Sequence, residues 1–166
     1  MTTVDTMLRA MLRYFAAEKA ESTVFILAGI AAAVASYFVW PGPYRGAAYP
    51  LAAVGLIQLA VGGAVFLRTD AQVRALSDQL LRDAAGYRER ELARMRKVMA
   101  NFRLYRAAEI ALLAAALVAL LVPGRSQFVR SAAVGLAIQS ALLLVLDLFA
   151  ERRGRDYEAD LRELSA

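Results

Sequence analysis

The stretch STVFILAGIAAAVASYFVW, residues 22–40, contains no charged side chain. A helix needs about 20 residues to cross a hydrocarbon layer of roughly 30 Å, and only a helix satisfies its own backbone N–H and C=O groups there. Runs this long exceed the apolar segments of helices buried in soluble bundles. Three further stretches read the same way, so the spans are expected at 22–40, 46–67, 105–122 and 128–148. The expected fold class is all-α: a polytopic four-transmembrane-helix bundle forming a single membrane domain over 1–166.

Composition agrees with that reading. The chain is 60% hydrophobic with a mean hydropathy of +0.46, which leaves little sequence for a separate soluble domain. It has no His and no Cys. That removes the commonest transition-metal ligands, haem imidazole, disulfides and thiol nucleophiles, so no cofactor and no metal site is expected. The first residues, MTTVDTMLRAMLRYFAAEKA, carry no short apolar core followed by a small-residue cleavage site, and a cleaved signal is not expected.

Charge sets the expected orientation. Of the 20 Lys and Arg residues, all but Arg45, Arg125 and Arg130 lie before the first span, between the second and third or, for Arg106, at the inner end of the third, or after the fourth. Basic residues are retained on the cytoplasmic side, so both termini and the central segment are expected in the cytoplasm. The net charge of +5 needs no nucleic-acid partner, because topology and anionic lipid headgroups account for arginines beside span ends. The outer turns, PGPYRGAAYP and PGRSQ, are too short for an external domain. Tyr37, Trp40, Tyr44 and Tyr49 around the first of them read as an interfacial aromatic belt, with a ligand cage as the sharper alternative.

Three polar segments flank the spans. In 1–21, Val4, Met7, Leu8, Met11, Leu12 and Phe15 recur at the spacing of one helical face, which predicts an amphipathic helix lying in the inner interface. Residues 68–104 predict a helical hairpin whose arms continue spans two and three. Thr69 and Gln72 read as a capping box, Val73, Leu76 and Leu80 as one apolar stripe, Leu92, Met95, Met99 and Phe102 as another, and Ala85–Tyr87 as the turn. Its stripes suit either self-packing or docking of a partner or second copy. The tail 149–166 predicts a solvated helical end with a weak stripe of Tyr157, Leu161 and Leu164.

The halves echo each other. AAVGL recurs at Ala52–Leu56 and Ala132–Leu136, each time followed closely by Gln, and both outer turns begin Pro-Gly. A duplicated two-span unit explains this, and so does chance in an alanine-rich chain.

Two groups of polar residues are candidates for function. Gly55, Gln58 and Gly62 share a face of span two, and Gly135 accompanies Gln139 in span four. Small residues let backbones approach in lipid and a buried amide bonds across the contact, so these are expected to be inward-packing faces. The second group is a charge cluster at the inner ends of the spans: Glu21, Glu109 and Asp147, with Arg68, Arg106 and Arg152 as reachable cations. A charge inside a span costs about 2.5–3.5 kcal/mol at mid-membrane, so Glu109 and Asp147 must face the bundle. They read as members of a structural ion-pair ring or as a proton or cation site.

The segments AEKAES, YRG, AYP, LIQLAVG, RMRKVMANF, YRAAE and LDLFAERR, taken together, resemble a family of four-span bacterial inner-membrane proteins to which no function is attached. The resemblance covers nearly the whole chain, implies the topology given above and adds no catalytic residue. The expected function is therefore non-enzymatic: a membrane accessory or scaffold protein that works in the lipid bilayer as a homo-oligomer or by binding another membrane protein. A small oligomeric transporter or channel using Glu109 and Asp147 for a proton or cation is the second expectation. A lipid-modifying enzyme is the third, and it requires carboxylates or hydroxyls clustered at a lipid-accessible cleft.

Overall fold

The computed structural model describes residues 3–164. Among these, the regular structure is four long helices: α1 (Val4–Val39), α2 (Ala48–Arg82), α3 (Ala84–Leu121) and α4 (Gln127–Glu163). A single 3-10 turn, Arg45–Ala47, precedes α2. Each helix contains a stretch long and apolar enough to cross a membrane. At 1.5 Å per residue each is also about 55 Å long, well beyond one hydrocarbon layer. The bundle therefore has an apolar half, which carries the two short turns, and a polar half, which carries the α2–α3 connection, the start of α1 and the end of α4.

Local chemistry fixes the ends. Thr3 caps α1, its hydroxyl oxygen accepting from the Thr6 N–H, and Ser126 caps α4 in the same way by accepting from Val129 N–H. Asp83 alone separates α2 from α3, its carboxylate accepting from Gly86 N–H at 2.8 Å. A Cβ on Gly86 would lie 2.0 Å from that carboxylate, so glycine is what lets the cap form. The break thus falls at Asp83, just ahead of the expected turn at Ala85–Tyr87. Thr69 caps nothing: it sits inside α2, where its hydroxyl donates to the Val65 carbonyl at 2.7 Å.

Helices α1 and α2 pack along their length, as do α3 and α4, and α4 also contacts α1, α2 and the Arg45–Ala47 turn. The two halves are held differently. In the polar half Met7, Met11, Phe15, Leu80, Tyr87, Met95 and Leu161 are at most 1% exposed and form one core drawn from all four helices. In the apolar half the buried positions are small or polar, among them Gly29, Ala32, Gly55, Gly62, Ala116 and Gly135, while large residues such as Leu27, Leu56 and Ile138 point outward. Water-facing helices need an apolar core to drive association; in lipid there is no such drive, and close backbone approach takes its place. A Cβ on Gly29 would lie 2.7 Å from the Gly55 carbonyl, which shows how closely α1 and α2 approach.

Two expectations for the polar segments are overturned. The N-terminal amphipathic segment is the first part of α1, and its face of Met7, Met11 and Phe15 is covered by protein and not by an acyl boundary. The tail is likewise not a solvated end: Tyr157, Leu161 and Leu164 are core residues. Arg88 closes it by donating to the carbonyls of Leu161 and Arg162 at 3.1 and 2.9 Å, groups that a helix C-terminus leaves without partners.

Candidate functional site

Polar side chains form a column along the inner face of α4, beginning in the apolar half. First comes Gln139, whose Oε1 accepts from Gln58 Nε2 at 3.3 Å, both amides being buried. Gly55 and Gly62, one turn to either side of Gln58, seat α2 on α1; Gly135, one turn from Gln139, seats α4 on the chain at Ala47 and Pro50. All five residues of the expected packing face are buried.

Two turns further along α4, Asp147 faces Glu109 of α3, carboxyl to carboxyl and within hydrogen-bonding reach. Glu109 is buried, and one of its oxygens meets no hydrogen-bonding partner in the protein. Neither acid pairs with an arginine. The expected cations are engaged elsewhere or point away. Arg106 bonds Glu151 at 2.5 Å, Arg68 lies 3.9 Å from Glu18, and Arg152 is exposed with no acidic partner among the described residues. Glu21 does join a salt bridge, but with Arg153 and not its neighbour.

Below the carboxyl pair lies a layer of ion pairs joining all four helices. Glu151 accepts from Arg106 of α3 and from Arg155 one turn on, Glu21 of α1 takes Arg153, and Lys19 of α1 bonds Asp70 of α2 at 2.6 Å. The Arg155 hydrogen bond and the Arg106 charge hold the Glu151 carboxyl below the usual carboxylate range. Glu18 goes the other way. Burial pushes its carboxyl up, and the charges of Arg68, Arg94 and Arg153 only partly offset that.

Deepest in the polar half is a network with no counterpart in the sequence reading. Arg94 holds Glu91 through two bonds, at 2.7 and 2.8 Å, and Tyr157 donates to Glu91 at 3.1 Å. Tyr157 and Tyr87 share a further hydrogen bond of 2.6 Å, and Tyr14 stacks on Tyr157 with ring centroids 4.5 Å apart. Glu91 is 2% exposed, so its charge depends on these partners. Burial raises both Tyr87 and Tyr157, which keeps the hydroxyls protonated as donors. Burial alone disfavours the Arg94 charge, but the Glu91 carboxylate outweighs it and holds the guanidinium ionised. A sequence signal existed: Tyr87, Glu91, Met95 and Met99 follow one another at helical i,i+4 spacing.

No three acidic side chains converge to hold a metal ion among the described residues. The column therefore offers hydrogen bonds, ion pairs and one carboxyl pair. The aromatic residues of the first turn line no closed cage: Trp40 packs on Tyr49, and Tyr49 on Phe128, each with exposed faces.

Compared with known proteins, the chain matches no family model, no curated protein and no solved structure. Fold and site define a class all the same: an all-helical protein with four helices long and apolar enough to span a membrane, and a polar column along α4.

Proposed function

We propose that this is a multi-pass protein of the bacterial inner membrane, with both termini and the polar half in the cytoplasm, which acts as an accessory or scaffold by self-association or by binding another membrane protein. The observation that carries this reading is the exposure of α3. Only 11% of its apolar stretch is buried, against 17% for α2 and 22% for α1 and α4, and it packs mainly on α4. Ala111 and Ala115 lie on its open side, where a second helix has room for close approach. The polar half supports a scaffold role as well, since a full core holds the four helices without help from lipid.

The chain has no cysteine, so a single Ala115→Cys variant reports contacts cleanly. Mild oxidation in native membranes is expected to give a disulfide-linked dimer at Ala115 and none at Val61→Cys on α2. A monomer at both positions, together with monomeric sedimentation in detergent, rejects self-association. Reporter fusions at both ends test the orientation.

A second reading, a proton or cation pathway in an oligomer, is favoured by the Glu109–Asp147 pair. Both acids lie within the expected spans, face one another and have no arginine partner among the described residues, an arrangement suited to holding a proton or a cation. Flux by reconstituted protein that disappears in Glu109→Gln supports this reading; flux that survives removes Glu109 from it.

A further inference from the structure

We propose that the groove between the two short turns and the start of α4 binds a phosphate group carrying a negative charge. Every acidic residue of the chain lies before residue 22, between 70 and 109, or after 146, so the turn end of the bundle carries no carboxylate. It carries three arginines, Arg45, Arg125 and Arg130, all exposed and none with an acidic partner among the described residues. Retention of basic residues on the opposite side disfavours arginines at this end, so their presence calls for a reason of its own.

The arginines are gathered, not scattered. Arg125 and Arg130 line one open groove of about 580 Å³ together with Tyr44, Gln127 and Ser131. Arg45 lines the adjoining groove, which shares Gln127. Close backbone contact holds the walls in place. A Cβ on Gly46 would lie 2.0 Å from the Phe128 carbonyl, so the Arg45–Ala47 turn is pressed against the first turn of α4. Two guanidinium groups beside the Gln127 amide and the Tyr44 hydroxyl supply N–H and O–H donors of the kind a phosphate accepts, and arginine binds phosphate through paired N–H donors. The free N–H groups at the start of α4 add a favourable field. On the membrane reading above, the aromatic side chains Trp40, Tyr44 and Tyr49 put this groove at headgroup depth, where an anionic phospholipid supplies the phosphate. A free phosphate offers the same chemistry from water.

The test uses the full chain in nanodiscs of phosphatidylcholine containing a minor fraction of phosphatidylglycerol, with retained lipid quantified by mass spectrometry after extraction and washing in detergent. The Arg125→Gln/Arg130→Gln variant is expected to retain about tenfold less phosphatidylglycerol than the parent, while Lys97→Gln at the other end retains as much as the parent. In discs of phosphatidylcholine alone, inorganic phosphate is titrated against the melting temperature. A rise that the double variant loses assigns the site to free phosphate; its absence beside selective lipid retention assigns it to the headgroup. Both substitutions are at exposed positions, and an unchanged melting temperature without ligand verifies the fold. Equal lipid retention and equal phosphate response in parent and variant overturn the proposal. A chain that stays out of the discs refutes the membrane reading instead, and the phosphate titration on that detergent-free protein still decides the site.

Discussion

Tyr157 of α4 donates its hydroxyl hydrogen bond to Glu91 of α3 at 3.1 Å, and Arg94 holds the same carboxylate from its own helix. A residue 66 positions away thus gives the buried Glu91 charge a neutral donor beside its arginine. This contact ties the last turns of the chain to the middle of the sequence, and α1 closes over it through the Tyr14 ring. The polar half is consequently one packed unit drawn from all four helices and not a hairpin with loose ends.

Tyr157→Phe keeps the ring against Tyr14 and removes only the hydroxyl. Glu91 and Tyr87 then lose a bond in a buried setting, a loss of about 1–3 kcal/mol. Tyr157→Ala also removes the ring, raising the cost to about 3–5 kcal/mol. Thermal unfolding in detergent, followed by circular dichroism, is expected to rank parent above Phe above Ala. Equal stability of parent and Phe variant contradicts the network.

Glycines in the apolar half divide by what surrounds them. At Gly29 an added Cβ meets the Gly55 carbonyl at 2.7 Å and the Leu59 side chain at 2.8 Å, whereas at Gly63 nothing lies within 4 Å. Gly29→Ala must push α1 off α2 and is expected to destabilise by about 1–3 kcal/mol. Gly63→Ala meets no obstacle and gains helix propensity, so it is expected to stabilise by about 0.5–1 kcal/mol. Melting temperatures of the two variants should therefore move in opposite directions.

The four apolar runs were legible because length and sparse charge are properties of the sequence itself, and the inward faces at Gly55, Gln58, Gly62, Gly135 and Gln139 followed from small and amide side chains in those runs. What covers an amphipathic face was not legible. Met7, Met11 and Phe15 suit lipid and protein equally, and the choice depends on where α2, α3 and α4 end. Glu91 escaped because counting apolar residues passes over a charge in a core stripe. Arg153 was missed in favour of Arg152 because adjacent residues on a helix differ by about 100° in direction, and only the packing of α4 fixes its phase. The carboxyl pair was half legible: both acids were singled out for their depth, but their facing one another depends on how α3 and α4 pack.

The amide pair Gln58–Gln139 is suited to a double-mutant cycle. Either single change to Leu leaves one buried amide unpaired, while changing both replaces the pair with apolar contact. Each single variant is expected to lose more than half the summed effect implied by the double, with a coupling of about 0.6–1 kcal/mol. Additive losses, measured by unfolding in detergent, indicate that the 3.3 Å contact contributes nothing.

Glu18 and Glu151 are predicted to respond to acid in opposite senses. Burial lifts the Glu18 carboxyl above its ordinary value of 4.5. A group raised in the folded state gives stability that is complete below the unfolded value and is lost as pH rises through the folded one, so the ionised carboxylate weakens the fold at neutral pH. Glu18→Gln, which keeps the neutral shape, is expected to raise the melting temperature at pH 7 and to change it little at pH 4. Glu151 is lowered by its bond from Arg155 and the charge of Arg106. Its contribution is present above the unfolded value and disappears as pH falls through the folded one. Glu151→Gln is therefore expected to lower the melting temperature at pH 7, with the deficit shrinking on acidification. Melting curves for the parent and both variants between pH 3 and pH 8 separate the two cases, and parallel pH profiles for the two substitutions rule out the opposed roles.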